Sequence, residues 1–281
     1  MNLPKIAILS GSGELPKIAI ANARALGHEV LVLGVIESDF AATNNEEHIP
    51  IHIGKINTII KTLKKNGIED LLLVGKVKKE LLYKGLKLDF KAITLLAKMK
   101  TTGDYNLFST IANDLKKQNI TFLSQKKFLQ NCLLEAGIYT KTSLTKKEIQ
   151  NLEYGIRIAE NLANSDIGQS VVVYNRNVIA VEAVEGTDQC LKRSGELLRN
   201  KNRAALCKSS RTDQDERFDI PTIGLSTFQN AHASGIHTIC IKEKETIVVN
   251  PLECIKFANK HKMNLVVSGK NNAILTKKIK L

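Results

Sequence analysis

Lys5-Ile-Ala-Ile-Leu9-Ser10-Gly11-Ser12-Gly13-Glu14-Leu15-Pro16 opens the chain, and how this stretch is read decides the architecture. Ile6 to Leu9 is a continuous apolar run, as expected of a strand covered on both faces, and it ends on small residues that permit a tight turn. Ile18, Ala19, Ala21, Ala23, Ala25 and Leu26 then follow a helical pattern that closes at Gly27. Glu29 to Val35 reads as a second buried strand. Strand, helix and strand within about 30 residues predict a βαβ unit, hence a parallel sheet with a right-handed crossover.

The alternation continues outward from this unit. Ile51 to Ile53 and Asp70 to Gly75 read as strands around a helix from Thr58 to Asn66, and helices are expected over Asp89 to Lys98 and Leu107 to Lys117 before a short strand near Thr121 to Leu123. Lys126 to Leu144 mixes charge, Gly137 and short polar stretches, and reads as a connection. A helix follows from Lys146 to Leu162. Val171 to Tyr174 and Val178 to Val184 flank Asn175-Arg176-Asn177, a hairpin signal. Further helices are expected at Cys190 to Leu198, Thr227 to Ala233 and Pro251 to Lys260. Strands are expected at Ala204 to Lys208, Thr238 to Ile241, near Ile247 to Val249 and near Leu265 to Val267. The expected fold is α/β in two domains. Residues 1–132 would form a Rossmann-like parallel α/β domain, and 133–281 a mixed α/β domain carrying the catalytic motifs.

Composition narrows the function classes. The 281 residues are 43% hydrophobic, which excludes intrinsic disorder, and 41 Lys plus Arg against 28 Asp plus Glu give a formal charge of +13. No apolar run approaches the ~18 residues needed to cross a bilayer, and the first residues lack the basic and apolar regions of a secretory signal. Cysteines 132, 190, 207, 240 and 254 are odd in number and never form a CxxC pair, which argues against a disulfide framework and a zinc site. A cytoplasmic, reduced protein is expected. The six histidines (28, 48, 52, 232, 237 and 261) show no metal-ligand spacing. Lysines recur over Lys61 to Lys65, Lys76 to Lys79, Lys98 to Lys100 and Lys277 to Lys280. With 5% aromatics and no Trp there is little platform for stacking bases. No nucleic-acid partner is therefore expected. An anionic lipid surface suits dispersed lysines better, at about 1 kcal/mol for each one near the headgroups.

Several constellations could carry chemistry. Gly11-Ser12-Gly13, between strand and helix, could cradle a phosphate on backbone N–H groups. Pro16 replaces the third glycine of a dinucleotide fingerprint and no Lys-Ser or Lys-Thr follows, so a tight turn explains the motif equally well. Lys76, after Gly75, would share the same carboxyl edge of the sheet. In the second half, Gln169 precedes the hairpin and Glu185-Gly186-Thr187-Asp188 marks a strand-to-helix junction where a cap would explain Thr187 or Asp188. A cap does not explain Glu182 within an apolar strand. That carboxylate calls for a metal, an Arg or Lys partner, or solvent. Densest is Thr212-Asp-Gln214-Asp215-Glu-Arg217-Phe-Asp219-Ile-Pro-Thr-Ile-Gly224, following Lys208. Carboxylates suit Mg²⁺, and Arg217 and Lys208 could neutralise phosphate oxygens. On composition alone, a solvated loop of self-compensating ion pairs accounts for this block more simply. Phe90, Ile93, Leu96 and Met99 share a helical stripe that could wall an apolar cleft, although core packing is the plainer assignment.

These blocks together resemble the LpxI-type UDP-2,3-diacylglucosamine pyrophosphatases of lipid A biosynthesis. The resemblance rests on Asp166-Ile-Gly-Gln-Ser-Val-Val-Val173, Ala180-Val-Glu-Ala-Val-Glu-Gly-Thr-Asp188 with Arg193, Lys208, and Gln214-Asp-Glu-Arg-Phe-Asp-Ile-Pro-Thr-Ile-Gly224. Gly11 to Pro16, Gly75-Lys76-Val77 and Gly103-Asp104 extend it over nearly the whole chain. It implies cleavage of the pyrophosphate bond of a UDP-linked diacylated glucosamine, giving UMP and diacylglucosamine 1-phosphate (lipid X). It also implies Mg²⁺, two domains with lipid bound between them, a homodimer, and a place at the cytoplasmic face of the inner membrane. Carried over by position, Asp219 is the essential acid and metal ligand, and Asp215 and Gln214 support the metal or the attacking water. Arg217 and Lys208 neutralise phosphates. Gln169, Glu185, Gly186, Thr187 and Asp188 line the substrate cleft, Gly11, Ser12 and Gly13 hold the nucleotide end or help close the cleft, and Lys76 counts among the substrate-binding residues. Tyr105 stands where many members carry a second acid, so the Gly-Asp pair receives no catalytic role.

Two other classes make distinct demands. A nucleotide-dependent oxidoreductase would need an acidic ribose partner after the second strand, with Glu37 or Asp39 available. A non-enzymatic RNA-binding or regulatory module would rest on charge alone and lose affinity steeply with salt.

Overall fold

Ile6–Ser10 forms β1, buried at every residue as its apolar run predicts, and it sits at the centre of the first sheet. The computed structural model describes residues 3–38, 40, 46–76, 87–97, 104–198 and 203–280, with the backbone alone for 104–107. The chain divides into two units: residues 1–130 with 215–219, and residues 131–214 with 220–281.

In the first unit β1 is followed by α1 (Leu15–Ala25), β2 (Val30–Val35), β3 (Ile49–Ile51), α2 (Ile56–Lys65), β4 (Asp70–Val74), α3 (Phe90–Ala97), α4 (Asp104–Lys116), β5 (Thr121–Phe122) and α5 (Gln125–Phe128). The strands pair in parallel in the order β3-β2-β1-β4-β5. Chain direction across the sheet reverses between β1 and β4, where ligands gather in open parallel sheets. α2 buries Ile56, Ile59, Ile60 and Leu63, the three-four spacing of one helical face, in the cluster that holds Leu33 and Leu71.

Two expectations for this unit are corrected. The stripe on α3 is not core, since Phe90, Ile93 and Leu96 are 83%, 53% and 40% exposed. Ala92 and Leu95, offset by two positions, turn inward instead, and Met99 lies outside the described residues. Nor is Lys126 to Leu144 a plain connection. Phe128 is fully buried and its carbonyl accepts from Asn22 Nδ2 at 2.7 Å, while Gln125 Nε2 donates to the Leu73 carbonyl at 2.9 Å, so the start of this stretch packs into the first unit.

The rest of that stretch begins the second unit with β6 (Gly137–Ile138). Next come α6 (Lys146–Asn164), β7 (Ser170–Tyr174), β8 (Asn177–Val181), α7 (Thr187–Leu198), β9 (Ala204–Lys208), β10 (Thr222–Ile223), α8 (Leu225–Ala233), β11 (Ile236–Lys242), β12 (Ile247–Val248), α9 (Pro251–Lys260) and β13 (Asn264–Ser268). The main sheet runs β6-β13-β11-β9-β7-β8, with β9, β11 and β13 parallel and β6 and β7 antiparallel to their neighbours. The β7–β8 hairpin turns on Asn175 and Arg176, both at positive φ (48° and 58°), the twist that a two-residue loop requires. Thr145 and Glu148 form a reciprocal capping box at the start of α6. Side-chain alternation along β9 sends Ala204 and Leu206 toward the cluster containing α7, α8 and α9, and Ala205 and Cys207 toward α6. Lys208 continues the first set.

Candidate functional site

At the carboxyl edge of the first sheet the glycine-rich turn serves the sheet itself. Gly11 N donates to the Val74 carbonyl at 2.8 Å, and Ser12 and Lys76 exchange backbone hydrogen bonds at 2.8 and 2.9 Å. These strand ends approach so closely that a Cβ on Gly11 would stand 2.5 Å from the Lys76 carbonyl oxygen, and Gly75 holds φ +95° beside it. Glycine is needed here for contact between strands. The N–H groups of Gly11 and Ser12 are therefore committed, and a phosphate at this edge would have to find other donors, with Gly13 next in the turn and the Lys76 side chain exposed. Glu37, the acid an oxidoreductase would turn to a ribose, gives one oxygen to His52 Nδ1 at 2.8 Å and the other to the Ile53 N–H at 3.2 Å. Asp39, Val77 to Lys79, Lys98 to Lys100 and Gly103 lie outside the described residues, and of Asp104 and Tyr105 only the backbone is described.

The acidic block divides between the units: Gln214 belongs to the second, and Asp215 to Asp219 belong to the first. The Asp215 carbonyl accepts from the N–H groups of both Phe218 and Asp219 at 3.2 Å, closing a single turn. Phe218 anchors that turn by stacking on Phe108 (centroids 5.3 Å apart, 15° between planes) and meeting Phe122 edge-on at 4.9 Å. Asp215 takes Arg217 in a fork, with Nε at 2.8 Å and Nη2 at 2.7 Å, and it also accepts the Arg217 N–H at 3.0 Å. The guanidinium also lies over the Phe218 ring at 4.9 Å. Glu216, which sequence reasoning passed over, binds Lys126 at 2.7 Å and Ser124 at 3.2 Å and so fastens the turn to α5. Asp219 is exposed.

Lys208 is the reverse case. Only 4% exposed at the carboxyl end of β9, its ammonium donates to Ser170 Oγ at 3.0 Å and Thr187 Oγ1 at 3.1 Å, and it stands 3.5 Å from Glu182 Oε2. Thr187 in turn donates to Glu182 Oε1 at 2.9 Å. The carboxylate that a cap could not explain is thus paired with a buried lysine, as charges must be when water is excluded. The other residues of the junction are also engaged. Glu185 binds Arg193 at 2.7 Å and accepts the Ala183 N–H at 3.2 Å, and backbone hydrogen bonding, followed by Arg193, holds its carboxyl below the usual range. Asp188 accepts from Asn230 at 2.8 Å, Gly186 adopts φ +80°, and the Gln169 carbonyl accepts the Ser209 N–H at 2.9 Å. In the second unit, Gln214 answers Arg211 through paired contacts of 3.1 and 3.3 Å.

All five cysteines are free and buried. Burial pushes the Cys132, Cys190 and Cys254 thiols up to about 11, 11 and 12, which makes them inert at neutral pH. Among the described residues no group of three or more His, Cys, Asp or Glu is arranged to hold a metal ion. Mg²⁺ at phosphate sites takes only one or two carboxylates, the remainder being water and substrate oxygens. Asp219 offers an exposed carboxylate of that kind, and both oxygens of Asp215 serve Arg217. A polar cavity of about 740 Å³ lies among Glu160, Lys242, Glu245 and Asn272, none of which the sequence had marked. Lys242 binds Glu160 at 2.6 Å there, and no motif announces a pair formed between a strand end and α6.

Fold and site define a class: a two-unit α/β protein with a parallel sheet in one unit, a mixed sheet in the other, and charged clusters at a strand end and on an aromatic-anchored turn. Within that class, residues 5–132 match the model of the LpxI N-terminal domain and residues 135–266 that of the LpxI C-terminal domain. The chain belongs to the LpxI family. It is 24% identical over 255 residues to the UDP-2,3-diacylglucosamine pyrophosphatase LpxI of Caulobacter vibrioides, covering 88% of this chain and 91% of that protein. Among solved structures, CobK precorrin-6A reductase aligns over 99% of this chain and 92% of its own at 10% identity and TM-score 0.30. Glycinamide-RNase-transformylase T from Mycobacterium tuberculosis aligns over 64% and 44% at 13% identity and TM-score 0.23.

Proposed function

We propose that this protein is a hydrolase that cleaves the pyrophosphate bond of UDP-2,3-diacylglucosamine, releasing UMP and 2,3-diacylglucosamine 1-phosphate for lipid A synthesis. The observation that carries this reading is the LpxI match through both halves of the chain, together with a relative of that named activity aligned over 91% of its own length. The inventory of charged groups supports it. A diphosphate repels an attacking hydroxide, so a site that opens it must supply positive charge and aim a water. Lys208, held by Ser170 and Thr187, and Arg217, held flat by Asp215, are cations of fixed geometry suited to phosphate oxygens.

Asp219 is assigned the holding of Mg²⁺, which when bound would supply Lewis-acid stabilisation of the phosphoryl charge. Asp215 orients Arg217, and Phe218 holds the backbone from which Asp219 projects. The exposed faces of Phe90, Ile93 and Leu96 offer apolar surface for acyl chains. The charge of +13 suits an anionic inner-membrane surface. No helix among the described residues is long and apolar enough to cross a membrane. Homodimerisation is taken from the family resemblance alone. Incubating the purified protein with UDP-2,3-diacylglucosamine, with Mg²⁺ or with EDTA, tests the proposal: UMP appearing only with Mg²⁺ is expected. An absence of UMP under both conditions would sink the reading. UMP release unaffected by EDTA would remove the metal from it.

A further inference from the structure

We infer that Glu182 is a positioning residue: acting through Thr187, it aims the buried Lys208 ammonium at a phosphate oxygen of the diphosphate substrate. The inference rests on the hydrolase reading above and concerns Glu182, to which that reading gives no role.

The distances rank the contacts. Glu182 Oε2 stands 3.5 Å from Lys208 Nζ, well beyond the ~2.8 Å of a charge-assisted hydrogen bond, while Glu182 Oε1 accepts from Thr187 at 2.9 Å. Glu182 therefore grips the threonine more closely than the lysine. Because the Thr187 proton is committed to the carboxylate, the lone pairs of that hydroxyl are left to face Lys208, and they accept from it at 3.1 Å. Ser170 accepts a second ammonium proton at 3.0 Å. Two hydroxyls thus orient the ammonium, and the 3.5 Å approach to Glu182, longer than either of those contacts, is the one an anionic phosphate oxygen would take over at shorter range.

The frame around these groups is tight. Glu182 N donates to the Ser170 carbonyl at 2.8 Å, and a Cβ on Gly168 would stand 2.1 Å from the Glu182 carbonyl oxygen, so the backbone on both sides of the carboxylate is pinned. Thr187 begins α7, whose positive end adds to the attraction for an anion. At the same junction Glu185 binds Arg193, and Asp188 accepts from Asn230.

Two pairs of variants separate position from charge. Glu182→Gln and Glu182→Ala both remove the negative charge, but only Gln keeps an acceptor for Thr187. Thr187→Ser keeps the hydroxyl and Thr187→Val removes it at similar volume. Inorganic pyrophosphate binding is measured by calorimetry for each, alongside kcat, KM and Tm. Ala is expected to bind pyrophosphate about tenfold more weakly than Gln, and Val about tenfold more weakly than Ser, with kcat following the same order at a temperature where the Tm shows every variant folded. If the members of both pairs bind alike within about twofold, the positioning role is wrong. Should Glu182→Ala fail to fold, the Thr187 pair decides alone. A wild-type protein that releases UMP while the pairs coincide overturns the positioning and leaves the hydrolase reading standing. A wild type without UMP release, but with pairs that still separate on pyrophosphate, overturns the hydrolase reading and keeps Lys208 as a positioned anion site.

Discussion

The turn from Asp215 to Asp219 and the strand end at Lys208 carry the same kinds of charge under opposite physical conditions. In the turn, Asp219 is exposed and the Arg217 side chain is 39% exposed; an aromatic anchor, Phe218, fixes the backbone and Asp215 holds the guanidinium. At the strand end the Lys208 side chain is 5% exposed and that of Glu182 13%. There the geometry is set by desolvation, which makes an unpaired charge intolerable. Substitution of the exposed Asp219 should therefore fall on the rate with little effect on folding. Substitutions at the strand end should fall on stability as well, because breaking a buried pair strands its partner.

Asp219→Asn gives the largest expected effect. UMP release should fall by about 10³ or more, some 4 kcal/mol of transition-state stabilisation, with Tm nearly unchanged. A near-normal rate would dissolve the contrast by removing chemistry from the exposed turn. Lys208→Met should lower unfolding stability by about 3 kcal/mol, since the Glu182 carboxylate loses its cation in a nearly dry site. Adding Glu182→Gln should restore much of that loss. Denaturant titration of the two single variants and the double variant measures the coupling, and simple additivity would mean the pair is not a unit.

Phe218→Ala should cost about 2 kcal/mol and slow turnover through a loosened Asp219, which thermal melts and kinetics would report separately. Smallest is the pH effect at Glu185. Its carboxyl is held below its ordinary value by backbone hydrogen bonding and Arg193, so its contribution exists above the unfolded-state value and disappears as pH falls through the lower folded one. The Tm gap between wild type and Glu185→Gln should be present near neutrality and close in acid. A gap that persisted in acid would assign it to shape instead of charge.

Much of this was legible in the residues. The βαβ reading of Lys5 to Val35 located β1, α1 and β2, because a buried parallel strand and an amphipathic helix each leave a local period in the sequence. The hairpin at Asn175-Arg176 was legible for the same reason: turn chemistry is local. Lys126 to Leu144 misled because polar residues and glycine are shared by linkers and by short packed elements such as α5 and β6. The α3 stripe misled because Phe90, Ile93 and Leu96 and the pair Ala92 and Leu95 both keep helical spacing, and only the neighbouring helices select which face is buried.

By itself the sequence determined the α/β class, the opening βαβ unit, the family blocks and the suspicion attached to Glu182, since each depends on residues close together in the chain. Tertiary structure alone decided that Glu182 answers Lys208, that Asp215 is committed to Arg217, that the glycines at 11 and 75 serve strand contact, and that residues 215–219 belong with the first unit. The reason is physical. Periodicity and turn chemistry act over a few residues, whereas the cost of an unpaired buried charge is settled by whichever group the folded chain brings within about 3 Å, and sequence distance does not encode that neighbour.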